Sequence, residues 1–119
     1  QAGRDDHIAP RQSCFKLTNA FSGEMRFMLA GSGHIAGVVN PPSMHKYQYW
    51  TLPEGVALPA TLPEFEKHAI ETKGSWWPDW IEWLRSHNPA TVKVEDARIP
   101  GAGKRKTIED APGRYAKMR

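Results

Sequence analysis

Two residues able to pass a proton lie in loops near the front of the chain. Asp6 sits in Gly3-Arg4-Asp5-Asp6-His7, and His34 ends Gly31-Ser32-Gly33-His34. A carboxylate that accepts from one imidazole nitrogen fixes the tautomer and leaves the other nitrogen free to take a proton from a nucleophile. Asp and His are common loop residues, so the pair alone does not separate a catalytic site from two solvated side chains. The one thiol, Cys14, lies in Ser13-Cys14-Phe15, inside a stretch of amphipathic spacing. That setting suits core packing better than nucleophilic attack. His7 adjoins Asp6 and either assists it or bonds nearby backbone. His45, His68 and His87 are scattered, without the spacing of a metal site. Gly31-Ser32-Gly33 lacks the Lys-Ser/Thr that a phosphate loop requires.

These side chains need elements to hold them. Pro10 suits a first helical turn, and Cys14, Leu17 and Phe21 recur near helical spacing, with Gly23 just past the end. Met25-Arg26-Phe27-Met28-Leu29-Ala30 is short, mostly apolar and followed by a glycine, which predicts a buried strand. The strand runs into the loop carrying His34, and Asn40-Pro41-Pro42 stops any short helix beyond it. Active sites of open α/β sheets gather beyond the carboxyl ends of strands, where such loops lie. Residues 43–60 read as an ordered loop with an extended piece at Tyr47 to Thr51. Thr61-Leu62-Pro63-Glu64 has capping-box spacing and predicts a helix to about Lys73, ended by Gly74. Ser75 caps a further helix to about His87, with Pro78 in its first turn and Asn88-Pro89 at its end. Trp76, Trp80, Trp83 and Leu84 share one face, which reads as core or, alternatively, as a ligand-stacking surface. From Ala90 onward the chain is polar and reads as irregular, with Tyr115 as a late anchor. Loop, helix, strand, glycine loop and helices make a piece of an α/β protein. A single strand forms no sheet, so its neighbours are expected from other sequence or another chain.

The 119 residues allow one core. Ten Gly and ten Pro predict much loop and turn. A formal charge of +3 is too mild to imply a nucleic-acid partner, and Lys104-Arg105-Lys106 reads as a solvated tail. No apolar run approaches the ~20 residues that span a membrane. A lone cysteine makes no internal disulfide, which fits a reducing cytoplasm. The start at Gln1-Ala2-Gly3 suggests a partial sequence.

Four segments, taken in order, carry a resemblance to one family. Asp5-Asp6-His7-Ile8-Ala9-Pro10 resembles the aspartate motif of polyhydroxyalkanoate synthases. Residues 26–42, Arg26-Phe27-Met28-Leu29-Ala30 through Gly33-His34 to Asn40-Pro41-Pro42, resemble the strand and histidine loop of the class I enzymes. Gly74-Ser75-Trp76-Trp77-Pro78-Asp79-Trp80 is similar to a further signature of that class, and Ala111-Pro112-Gly113-Arg114-Tyr115 to its C-terminal ending. The resemblance implies the C-terminal portion of an α/β-hydrolase-like fold with few strands, several helices and an irregular tail. It divides as 1–89, part of the catalytic domain, and 90–119, the polar tail of that domain. In such hydrolases Asp then His is the chain order of the last two triad members.

The same resemblance implies an acyltransferase that polymerises (R)-3-hydroxyacyl-coenzyme A into polyester and releases coenzyme A. Coenzyme A would be part of the substrate and a product, with no cofactor or metal. Asp6 and His34 match the catalytic aspartate and histidine. The family's nucleophilic cysteine lies in a G-x-C-x-G elbow that is absent here, so Cys14 does not match it and the chain alone should be inactive. Asp6 either orients His34 or helps activate the substrate's 3-hydroxyl. Implied partners are the thioester substrate and the growing polyester, in the cytoplasm or at a polyester granule surface; a homodimer mate is expected instead from the need of the Met25–Ala30 strand for neighbours. The competing readings are a non-enzymatic remnant that binds a synthase or granule, and a hydrolase subunit completed by a partner's nucleophile. If the catalytic arrangement is held, Asp6 and His34 must lie within hydrogen-bond reach.

Overall fold

The computed structural model describes residues 1–96 and 101–118, and the chain divides into two compact units, Gln1–His87 and Asn88–Arg119. The first unit is built on a four-stranded sheet in the order β1 (Ala2–Gly3), β2 (Met28–Ala30), β3 (Gln48–Thr51), β4 (Ile70–Lys73). β1 runs parallel to β2, with Ala2 opposite Leu29 and Gly3 opposite Ala30. β3 is antiparallel to both β2 and β4. No helix among the described residues is long and apolar enough to cross a membrane.

β2 is apolar at every position because it is buried on both faces. Leu29 and the preceding Phe27 join Ala2, Phe15, Leu62 and Phe65 on one side. Met28 and Ala30 join Tyr49 on the other, with Trp76 packed over them. The first cluster is centred on three phenylalanines, with Phe27 edge-on to Phe15 at 4.8 Å and to Phe65 at 5.0 Å between ring centroids. Phe15 comes from α1 (Arg11–Lys16) and Phe65 from α2 (Leu62–His68), so both helices cover that face. α3 (Trp77–His87) begins directly after Trp76 on the opposite face. The unit is therefore a small layered α/β domain, as the element order predicts.

Several expectations need correction. β2 finds its neighbours within this chain, so its burial does not itself call for a second copy or outside strands. The predicted helix to Lys73 ends at His68, and Ile70–Lys73 is β4 instead. Backbone pairing with all four residues of β3 outweighs helix continuation there, and β-branched Ile70 and Thr72 suit the strand. Gly74 then ends a strand rather than a helix, at φ +94° with its N–H on the Tyr47 carbonyl. The Thr61/Glu64 capping spacing is realised as a hydroxyl donating to the Glu64 carboxylate at 3.0 Å.

The first helix follows Pro10 and tightens into a 3-10 turn at Leu17–Ala20. Three residues per turn shift the phase of the apolar face, which leaves Leu17 and Phe21 exposed and Phe15 as the buried contact. The tryptophan stripe is not core in this chain. Trp76 alone packs on the sheet cluster, while Trp80, Ile81 and Leu84 are more than two-fifths exposed. Ser75 does cap α3, accepting from the Trp77 N–H at 3.1 Å, and the helix stops before Asn88-Pro89.

The second unit holds a 3-10 turn at Val94–Asp96 and α4 (Gly113–Lys117). Tyr115 is 92% exposed and is no anchor among the described residues.

Phe65 is fully buried and Phe21 is not. We expect Phe65→Ala to lower the unfolding free energy by ~3–5 kcal/mol, against about 0.5 kcal/mol or less for Phe21→Ala, in urea titrations of the two variants. Equal losses would contradict this packing.

Candidate active site

Parallel pairing of β1 and β2 brings the loops that follow them to the same edge of the sheet. The ladder extends past the strands, with Arg4 N–H donating to the Ala30 carbonyl at 2.8 Å and Asp5 N–H to the Ser32 carbonyl at 3.1 Å. The two backbones come so close that a Cβ on Gly3 would sit 3.2 Å from both the Asp6 Cβ and the Gly33 carbonyl oxygen. Further along, a Cβ on Gly37 would collide with the Gly31 carbonyl oxygen. Glycine at both positions lets the second loop fold tightly back on the end of β2.

Asp6 and His34 meet at that edge. The Asp6 Oδ2 to His34 Nδ1 distance is 2.7 Å, within the reach the sequence reading requires. Asp6 Oδ1 accepts from the Ile8 and Ala9 backbone N–H groups at 2.8 and 2.9 Å. The two oxygens divide the work: Oδ1 holds the chain turn and Oδ2 the imidazole. The bond from Ala9 is the largest influence holding the Asp6 carboxyl below the usual carboxylate range. Burial works against it, and the His34 and Ile8 bonds and the nearby imidazole act in the same downward direction. Asp6 is therefore ionised at neutral pH and has no proton to give. With Asp6 ionised and able only to accept, the proton in the 2.7 Å bond is carried by His34 Nδ1, and Nε2 is the ring nitrogen outside that bond. The Asp6 side chain is only 6% exposed, whereas that of His34 is 44% exposed, so the carboxylate is shielded and the ring is open to a reactant.

The turn that carries His34 has its own supports. The Ile35 carbonyl accepts from the N–H groups of Val38 and Val39 at 3.0 and 2.8 Å, a hydrogen-bonded turn that starts beside the imidazole. At its far end the Val38 carbonyl accepts from two indoles, Trp76 Nε1 at 3.1 Å and Trp77 Nε1 at 3.0 Å. Asn40, almost wholly buried, closes the segment by donating to the Lys46 carbonyl at 2.8 Å.

The other singled-out residues stay apart from this pair. The Cys14 thiol donates to the Ala9 carbonyl at 3.6 Å and packs against the phenylalanine cluster. His7 is exposed. His87 lies against the Trp83 ring at 4.4 Å. No group of three or more metal-ligating side chains occurs among the described residues. Sequence reasoning missed Gly37 and the indole pair. The only signal for Gly37 was a glycine three residues past His34, and nothing local links Val38 to residues 76 and 77.

Fold and site together define a segment of an α/β protein that carries a carboxylate-oriented histidine at the carboxyl ends of two parallel strands. No protein-family model matches the chain. Individual relatives match it nearly end to end. The poly(3-hydroxyalkanoate) polymerase subunit PhaC of Rhizobium etli is 45% identical over 118 residues, 99% of this chain and 18% of that protein. Its counterpart in Cupriavidus necator is 41% identical over 98% of this chain and 19% of its own length. The poly(3-hydroxyalkanoate) polymerase of Methylorubrum extorquens is 43% identical over 99% of this chain, again 19% of the relative. By sequence, the chain is similar along nearly its whole length to poly(3-hydroxyalkanoate) polymerases, and it spans about 18% of the length of the curated relatives it matches first.

A lowered Asp6 pKa contributes stability that is present above the unfolded carboxylate value and is lost as pH falls through the folded value. A carbon-13 titration of the Asp6 carboxyl should therefore give a midpoint below the ordinary value of ~3.9. In Asp6→Asn the matching acid-side loss of stability should disappear. A midpoint at or above the ordinary value would contradict the bonding described.

Proposed function

We propose that this chain supplies the acid–base half of a polyester-forming acyltransferase of α/β-hydrolase-like fold, with His34 as base and Asp6 as its orienting carboxylate. The observation that carries this reading is the 2.7 Å Asp6–His34 bond at the carboxyl ends of parallel strands, with Nε2 left free. The relatives' printed name, poly(3-hydroxyalkanoate) polymerase, supports the reaction class.

The chemistry follows from the geometry together with a cysteine supplied by sequence outside this chain. His34 Nε2 takes the proton of that thiol, and the thiolate attacks the thioester carbon of an (R)-3-hydroxyacyl-coenzyme A. The bond from that carbon to the coenzyme A sulfur breaks, and the leaving thiolate recovers a proton from the imidazolium. The acyl group is now a cysteine thioester. In the second step His34 takes the proton of an incoming 3-hydroxyl, whose oxygen attacks the acyl carbon. An ester bond forms and the cysteine sulfur leaves. Asp6 stabilises the imidazolium in both steps. Its place on Nδ1 supports the orienting role over direct activation of the hydroxyl. Coenzyme A enters only as part of the substrate and leaves as product, and no cofactor is required.

A second reading, an interaction module at a synthase or polyester granule, draws support from the exposed α3 face of Trp80, Ile81 and Leu84. It leaves the Asp6–His34 geometry without a purpose, so the enzymatic reading is preferred.

The test is a chimera in which this chain replaces the matching segment of the Cupriavidus necator polymerase, with coenzyme A release followed by thiol titration. The chimera should release coenzyme A, and His34→Gln or Asp6→Asn should slow it by ~10²–10⁴-fold. This chain alone should release none above buffer. Full activity in both variants, or turnover by the isolated chain, would overturn the proposal.

A further inference from the structure

The turn that carries His34 is poorly supplied with hydrophobic anchors. Ile35 is 68% exposed and Val39 is 61% exposed, so side-chain burial does not fix it at either of these positions. A single hydrogen-bonded turn is also unstable by itself, because the entropy of ordering it exceeds the return from one or two bonds. The turn nevertheless has to hold His34 Nδ1 within hydrogen-bond distance of Asp6. Its fixed points are the Gly37 approach to Gly31, the Asn40 amide on Lys46, and the two indoles on the Val38 carbonyl.

The indole contact is the one that ties the turn to another layer of the fold. A carbonyl oxygen has two lone pairs, and the Trp76 and Trp77 N–H groups fill both. Trp76 is itself packed on Met28, Ala30 and Tyr49, so its donor is held by the same strand that leads into the His34 loop. Trp77 begins α3 and is fastened by its backbone bond to Ser75. Trp76 and Trp77 are adjacent in sequence and both point to one oxygen, an arrangement that helix packing alone does not require.

We propose that Trp76 and Trp77 are positioning residues for His34: their indole N–H groups clamp the Val38 carbonyl and so fix the turn that presents the imidazole to Asp6. The inference rests on the reading of His34 as the base. It assigns a purpose to the two neighbouring tryptophans, which packing explains only for Trp76.

The test replaces each indole with a ring that lacks the donor, Trp76→Phe, Trp77→Phe and the double variant, with Trp80→Phe as control. Hydrogen exchange of the Val38 and Val39 amides reports the turn, and the Leu29 amide reports the sheet. Each lost donor should speed exchange at Val38 and Val39 roughly fivefold, and the pair roughly thirtyfold, with Leu29 and the Trp80→Phe variant unchanged. The Asp6 carboxyl titration should also move up towards the ordinary range in the double variant, because the His34 bond is one of the contacts that hold it down. Unchanged exchange at Val38 and Val39 overturns the clamp. Faster exchange with an unmoved Asp6 midpoint overturns its role in positioning His34, and an equal rise at Leu29 means general loosening and counts against it too. If the double variant does not fold, the single variants decide by the same criteria. None of these readouts involves turnover, so the clamp can fail while the polymerase reading stands, and the reverse.

Discussion

The parallel pairing of β1 with β2 is the constraint on which the site depends. Parallel strands end on the same side, so the chain leaving each one emerges at a common edge. With Gly3 opposite Ala30, Asp6 follows its strand by three residues and His34 follows its own by four. The two side chains are 28 residues apart in sequence and 2.7 Å apart in space for that reason. An antiparallel pair would send the two loops to opposite ends. The register is fixed in turn by β2, whose Leu29 and Ala30 must face opposite clusters, so a slip by one residue would exchange the two faces.

Around this pairing, the site divides its requirements between a rigid side and an open side. Asp6 belongs to the rigid side: its carboxylate is shielded and bonded to two backbone N–H groups as well as the imidazole. Those bonds favour the charged form, so the carboxylate remains an acceptor across the physiological pH range. His34 belongs to the open side, on a turn with few buried neighbours and several polar fastenings. That arrangement suits the proposed role of His34, which requires the imidazole to be reachable from outside.

Much of the site was legible in the sequence and less of the fold. Asp6, His34 and the strand before the glycine loop could be named from residue type and local pattern, and the ordered family segments singled out the pair. β2 was readable because burial on both faces leaves an unbroken apolar run. β4 was not, because its side chains are exposed and its pairing depends on β3, some twenty residues earlier. A capped start and a glycine at position 74 suited a helix equally well. The tryptophan stripe misled in a different way. Helical spacing reports which residues share a face, but what covers that face is decided elsewhere, and here Trp76 turns to the sheet while Trp80 meets solvent. The joint hold of Trp76 and Trp77 on Val38 is a contact across 38 and 39 residues that no periodicity encodes.

In the proposed site an ionised Asp6 fixes the proton of His34 on Nδ1 and leaves Nε2 as the base. Long-range proton–nitrogen NMR of this chain at neutral to mildly alkaline pH reads the state of each ring nitrogen directly. The account predicts a protonated Nδ1 and an unprotonated Nε2, with that preference lost in Asp6→Ala. A neutral ring protonated on Nε2, or an even mixture of tautomers indifferent to Asp6, would contradict it.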